Sequence, residues 1–350
     1  MQPQQLSEII PLLLAWFPEH ARDLPWRRDR EPYHVWLSEI MLQQTRVEAV
    51  KPYYQRFLER LPDIGALAEC EPDVLMKLWE GLGYYSRARN LQRAAQRIMN
   101  EYHGEFPRSY AEIRALPGIG DYTAGAVSSI CYDLPEPAVD GNVLRVMTRL
   151  FADARCTDLP AVKRDIRETL RTGYTDYAGG HCGMLTQAIM ELGATVCVPN
   201  GAPHCGDCPL RGFCAANAEG NAQEYPVRKE KKARRHEDLT VYILQCGDEI
   251  AVRRRPDDGL LAGLWELPHL DGARDAQEAV RDAGQWQAGA AELRSVRKRK
   301  HIFTHIEWHM TCVHLTVTKK PDCFTWVTAS RLARDTALPT AFRICLPEPE

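Results

Sequence analysis

Long apolar runs are missing from the start of this 350-residue chain. The opening segment, MQPQQLSEIIPLLLAWFPEH, mixes polar and apolar residues as an amphipathic first helix does, and its apolar run is too short to span a bilayer. It also lacks the layout of a secretory signal. Neither a membrane span nor an exported disulfide framework is expected, and most of the twelve cysteines are scattered through apolar stretches. Free thiols in a reducing cytoplasm fit better, at the nucleoid if the source is bacterial. Net charge is small: 44 basic against 47 acidic residues leave −3, so total charge alone does not announce a nucleic-acid binder. Internal repeats and low-complexity tracts are absent too, which excludes a repeat architecture.

The chain is long enough for two separate cores, and its 45% hydrophobic and 26% charged residues are ordinary for a globular protein. Charge is clustered even though it sums to little. RKEKKARRH at Arg228 to His236 and RSVRKRKH at Arg294 to His301 are strongly basic. Each reads either as a solvated linker or edge strand or as a contact for phosphate. The densest signal is Cys197, Cys205, Cys208 and Cys214, spaced C-x₇-C-x₂-C-x₅-C. Four thiolates that reach one centre suit an iron–sulfur cube or zinc, since both take soft sulfur ligands.

From residue 6 to about residue 195 apolar positions recur at three and four, as in VWLSEIMLQQTRVEAV, with breaks at EFPRS, LPGIG, DLPEPAVDGN and GYTDYAGGHCG. Short β-rich runs follow, DLTVYILQCGDEIAVRRR with a hairpin at Gly247 and HIEWHMTCVHLTVT, separated by a helix over DAQEAVRDAG. The expected organisation is multidomain: an all-α domain over 1–226 closed by the cysteine loop 197–214, a basic linker over 227–237, and an α+β domain over 238–350.

Two carboxylates stand out. Glu39 lies in an unusually apolar helix, flanked by Trp36, Leu37, Ile40, Met41 and Leu42. Burial there would keep it protonated near neutral pH, as a general acid requires; an exposed helical glutamate is the bland alternative. Asp140, in AVDGNV, is placed to start a helix. It is either an ordinary N-cap or an anion held against a developing positive charge. LPGIGDYTAGAV puts Gly118 and Gly120 in a tight turn entering a helix, whose free amides suit a phosphate. Such a helix-hairpin-helix near 112–127 would clamp a DNA backbone.

Taken together, LPGIG, VDGNV and the four-cysteine loop resemble the helix-hairpin-helix DNA glycosylases of the endonuclease III superfamily, and LPWRRDREPYHVWLSEIMLQQTRVEAV with GLGYYSRARNL is similar to its adenine glycosylase (MutY) family. The resemblance implies a monofunctional DNA glycosylase that flips out adenine mispaired with 8-oxoguanine or guanine in double-stranded DNA and hydrolyses its N-glycosidic bond, initiating base-excision repair. It implies one 4Fe–4S cluster on the four cysteines, with zinc the alternative, and a monomer acting away from membranes. Glu39 would protonate the base and Asp140 would stabilise the sugar cation, supported by Tyr122 and Asn142. Gln44, expected on the helix of Glu39, would wedge into the duplex, Tyr84 would insert beside the partner base, and Arg27 and Gln187 would line the adenine pocket beside Trp26 and Leu42. Two departures matter. The first cysteine gap is seven residues where the family usually shows six, and Tyr122 stands where bifunctional relatives carry a lysine nucleophile. An endonuclease III-like glycosylase/lyase acting on oxidised pyrimidines is the alternative activity.

GLLAGLWELP at Gly259 to Pro268 resembles Nudix-type proteins, yet AQEAVRDAGQW has no carboxylate pair to hold magnesium, so hydrolysis of nucleotides is not expected. By the same resemblance Phe303, Thr304 and His305 match a loop that reads 8-oxoguanine, and Arg297 to Lys300 suit phosphate contacts.

Overall fold

The computed structural model describes residues 5–230 and 233–347 and divides into two compact units. Residues 1–69 and 89–230 form a helical unit; residues 70–88 join 231–350 in the second. The expected partition at residues 226 and 238 therefore needs correction. The segment 70–88 is helical over Pro72–Leu78 and from Ser86, with a turn between where the pattern predicts continuous helix; within the second unit Lys77 donates to the carbonyls of Leu332 and Thr336, and Glu80 accepts from the backbone of Leu338. Residues 227–230 are no free linker either: Val227 accepts from Thr157, Lys229 donates to Asp158, and the first strand already begins at Arg235.

In the helical unit the order is α1 (Leu6–His20), α2 (Pro32–Leu42), α3 (Val47–Arg60) and α4 (Ile64–Glu69). After α5 (Pro72–Leu78) of the other unit and α6 (Ser86–Glu101) come α7 (Tyr110–Ala115), α8 (Asp121–Tyr132), α9 (Gly141–Leu150), α10 (Pro160–Tyr177), α11 (Cys182–Thr195) and α12 (Ala215–Ala218). The apolar stripe of α1 (Leu6, Ile9, Ile10, Leu13) packs with Leu185, Ala188 and Leu192 of α11 and Val143, Val146 and Met147 of α9. Partly buried Cys197, Cys208 and Cys214 lean on the same core, so the cysteine loop and the helix that begins beside Asp140 share one support.

Gln44 departs from expectation. Helix α2 ends at Leu42, and Gln44 lies in the turn beyond it with φ 59°. The left-handed backbone aims its side chain independently of the helix face that carries Glu39.

The second unit is built on a mixed sheet, strand order β3-β2-β1-β6-β5, from β1 (Arg235–Cys246), β2 (Glu249–Arg254), β3 (Trp265–Glu266), β5 (Ala291–Ile302) and β6 (Ile306–Val317). Strand β4 (His269–Asp271) pairs with β1, and β7 (Thr325–Thr328) pairs with β2. β1 and β6 run parallel from Arg235↔Ile306 to Gln245↔Thr316. Alternation along β1 feeds two cores. Val241 and Ile243 pack on the side of α14 (Ala329–Arg334) and α15 (Thr340–Arg343), while Tyr242 and Leu244 pack on the side of α13 (Ala276–Gln285). Such continuous burial on both faces is what a strand covered by helices on each side requires. The basic run at Arg294 to His301 lies in β5, the edge strand.

Candidate active site

Helix α2 has no polar face: eight of its eleven residues are buried, so Glu39 has nowhere to turn but inward. Its side chain is 6% exposed and accepts a short hydrogen bond from the hydroxyl of Tyr122. Burial pushes the Glu39 carboxyl up to about 7; the Tyr122 bond pulls it down, the Asp140 carboxylate raises it and Arg27 lowers it. An acid tuned to this value is partly protonated at neutral pH and can give up its proton there.

Asp140 is the N-cap of α9. Its Oδ1 accepts from Val143 N at 2.7 Å and its Oδ2 from Asn142 Nδ2 at 2.7 Å. Burial raises its carboxyl above the usual range, against the pull of those hydrogen bonds. The capping position is compatible with the anion role expected of Asp140, since the helix N-terminus favours the charged form. Asn142 is itself gripped by Arg145, which donates to Asn142 Oδ1 at 2.9 Å and to the carbonyls of Gly193 and Cys197 at 2.6 and 2.7 Å. Gly193 is required here: a Cβ on it would lie 2.6 Å from Cβ of Asn142.

Both acids face one cavity of about 660 Å³, lined also by Tyr122, Asn142, Arg27, Gln44 and Gln187, with Trp26 and Leu42 in its wall. Its size suits a small organic ligand such as a nucleobase. Glu191 and Arg22 line it as well, and neither is singled out by the sequence reading, although Glu191 in LTQAIMELGA carries the same mark as Glu39, an acid in an apolar helix.

Gly118 and Gly120 do not line the cavity; they make the turn that delivers Tyr122. Gly118 has φ 75°, and a Cβ there would meet Asn90 Cβ at 2.5 Å. Gly120 is the N-cap of α8 and supplies no side-chain cap, which leaves the first amides of the helix for an outside anion.

In the second unit Phe303, Thr304 and His305 connect β5 to β6, with Phe303 N bonded to Ile306 O. Phe303 is anchored edge-on to His301 and Trp308, at 4.6 and 4.9 Å between ring centres. Thr304 shares a 2.7 Å hydrogen bond with the hydroxyl of Tyr84, whose φ is 47°. Of the acids on α13, Glu278 closes a capping box with Asp275, and Asp282 accepts from the Tyr242 hydroxyl. Both carboxylates are engaged by hydrogen bonds within the unit. His236, Glu307 and His309 bring ligand atoms within 4.8 Å of one another. Glu307 already accepts from Lys300 Nζ and His309 Nε2, so its charge is met and no metal is assigned there.

The four cysteines are free thiols in the loop after α11. The long first gap closes through a bend with Gly201 at φ 75° and a bond from His204 N to Val196 O. Arg149, 3% exposed, aims Nη1 at Cys197 Sγ at 3.3 Å, a charged donor suited to a thiolate. Burial pushes the Cys208 thiol up to about 11 and raises that of Cys214. Among the described residues, only the His236 trio brings three such ligand atoms within 4.8 Å.

Residues 37–171 match the family model of HhH-GPD superfamily base excision DNA repair proteins, and residues 239–348 match a NUDIX domain. The rat adenine DNA glycosylase is 32% identical over 95% of this chain and 77% of its own length. The human adenine DNA glycosylase is likewise 32% identical, over 95% of this chain and 73% of its own.

The chain belongs to the adenine DNA glycosylases.

A bacterial adenine DNA glycosylase from Buchnera aphidicola (subsp. Baizongia pistaciae) is 31% identical over 88% of this chain and 86% of its own. Among solved structures, a thermostable thymine-DNA glycosylase aligns with a TM-score of 0.54 at 25% identity, covering 62% of this chain and 98% of its own. An endonuclease III–DNA complex aligns at 0.52 and 23%, covering 63% and 98%, and supports the fold of the helical part. The adenine glycosylase is an enzyme of base-excision repair, and its two parts are a helix-hairpin-helix glycosylase fold and a Nudix-like fold.

Proposed function

We propose that this adenine glycosylase acts on adenine paired with 8-oxoguanine or guanine in duplex DNA, with Glu39 as acid and Asp140 as anion. The observation that carries the assignment is the convergence of a near-neutral buried acid and a helix-capped carboxylate on one cavity. With the base flipped into the cavity, Glu39 gives its proton to the five-membered ring, and the bond from base to sugar breaks with its electrons leaving on the base. The sugar becomes cationic beside Asp140, which Asn142 and the start of α9 hold in place. Water then adds to the sugar carbon, and the ionised Glu39 takes its proton.

Arg27 and Gln187 are the groups suited to the edge of adenine, Gln44 to the space the base vacates, and Gly118 with Gly120 to a phosphate. In the second unit Tyr84 and Thr304 form a hydroxyl pair suited to the altered edge of 8-oxoguanine, flanked by Phe303 and His305. Cys197, Cys205, Cys208 and Cys214 would hold a 4Fe–4S cluster, which supplies a rigid charged cross-link and no redox step. The enzyme acts as a monofunctional glycosylase: Tyr122 stands where bifunctional relatives carry a lysine nucleophile, and among the described residues the one lysine lining the cavity, Lys163, comes from α10.

The test is a duplex holding one adenine opposite 8-oxoguanine, incubated with the purified protein and resolved with and without alkali. Strand scission only after alkali is the expected result. Scission without alkali would overturn the monofunctional assignment, and intact adenine with cleavage of an oxidised pyrimidine would overturn the substrate.

A further inference from the structure

Glu191 is a fully buried acid in the cavity wall that the excision chemistry leaves unused; its side chain is 0% exposed. From α11 it reaches two arginines. Its Oε1 accepts from Arg22 Nε at 2.6 Å and from the Arg22 backbone at 3.1 Å; its Oε2 accepts from Arg22 Nη2 at 2.9 Å and Arg27 Nη2 at 2.7 Å. Arg27 is further fixed by a bond from Nη1 to Arg22 O at 3.3 Å and by the Phe17 ring, 5.5 Å from its guanidinium carbon. A buried carboxylate held by two guanidinium groups stays ionised, and this one lies below the usual range because both arginines bond to it against its burial.

Arg27 matters because its charge acts on Glu39. The other groups that bear on Glu39 are Tyr122 and Cys131 from α8 and Asp140 from the start of α9; among the described residues Asp158, Lys163 and Arg228 complete the ionisable lining of the cavity. A free positive charge at Arg27 would draw the proton off Glu39. Glu191 offsets it. The trio of Arg22, Arg27 and Glu191 carries one net positive charge instead of two, with Arg22, the more exposed arginine at 38%, turned towards solvent.

We propose that Glu191 is a positioning residue for excision: it clamps Arg27 in the cavity wall and cancels its charge, keeping Glu39 in its acid form. The inference rests on Glu39 being the acid. It separates from a purely structural ion pair because charge and shape can be varied independently. Glu191→Gln keeps the shape and leaves the arginines uncompensated, so Glu39 loses its proton at lower pH. Arg22→Gln removes one positive charge and leaves Glu191 to Arg27 alone, so Glu39 keeps its proton to higher pH. Glu191→Asp keeps the charge.

The experiment is single-turnover excision of adenine opposite 8-oxoguanine, with the holoenzyme in excess, from about pH 5 to about pH 9. The alkaline limb of the rate profile is expected to move down in Glu191→Gln and up in Arg22→Gln, each by roughly half a pH unit or more. In Glu191→Asp it should stay within a few tenths of the wild-type position even where the rate falls. Limbs that stay put, or that move the same way in both charge variants, overturn the proposal. Should Glu191→Gln fail to fold, as read by circular dichroism, Arg22→Gln decides alone: an unmoved or lowered limb rejects the clamp. Glu39→Gln run beside them separates the two failures. If it excises adenine like wild type, the acid assignment itself falls, and the clamp with it.

Discussion

The hydroxyl of Tyr122 donates to Oε2 of Glu39 across two helices, α8 and α2, that are far apart in sequence. This bond holds the ionised form of Glu39 and works against burial. Tyr122→Phe removes it, so Glu39 should keep its proton to higher pH. The alkaline limb of single-turnover excision is expected to shift upward, while the plateau falls roughly tenfold as the carboxyl loses its orientation. An unmoved limb would break the link between the two residues.

Glu39 also predicts a trade of stability for activity. Its folded value of about 7 lies above the ordinary 4.5, so the folded chain binds the proton more tightly than the unfolded one. That contribution is fully present below about pH 4.5 and is lost as pH rises through 7. Glu39→Gln should abolish excision, by at least about a hundredfold, yet still bind the duplex. It should be more stable than wild type at pH 8 than at pH 5 by up to about 3 kcal/mol. Melting curves at the two pH values check the sign.

Arg149 ties α9 to the cysteine loop through Cys197 Sγ and Val198 O, and to the segment after the loop through Tyr225 O. Arg149→Met leaves those acceptors unmet inside the core and removes the charge facing the sulfur. Loss of about 3 kcal/mol or more and of bound iron is expected, read as melting temperature and iron per chain. Full iron occupancy in the variant would show that the guanidinium is dispensable to the site.

Thr304 and Tyr84 give a test confined to the second unit. Thr304→Val keeps the shape and removes the hydroxyl that meets Tyr84 at 2.7 Å. Excision of adenine opposite 8-oxoguanine is expected to slow roughly tenfold while excision opposite guanine changes little. Equal loss on both substrates would mean that the loop does not discriminate between them.

Much of this architecture is legible in the sequence because local chemistry fixes it. The apolar helix around Glu39 left it either buried or exposed, and the fold buries it; Asp140, placed to start a helix, caps α9. The strand character of β1 shows in the alternation at Val241 and Ile243. Three features escape such reading. Gln44 leaves its helix because α2 stops at Leu42, a boundary no strong breaker marks. Residues 70–88 have a helical pattern, but the pattern carries no record of which core they join; their partners lie more than 200 residues away. Glu191 was readable as buried, whereas its partners were not, since Arg22 and Arg27 lie among several arginines of similar standing in RDLPWRRDR.

Arg145 joins the first cysteine to the carboxylate proposed to face the sugar in three steps, from the Cys197 carbonyl through its guanidinium to Asn142 and on to Asp140. Slack introduced at one end of this train is felt at the other. Oxidative damage to the sulfur loop should therefore slow the breaking of the glycosidic bond even in molecules that still grip their DNA. Injury to the cysteine loop would silence repair before it released the lesion.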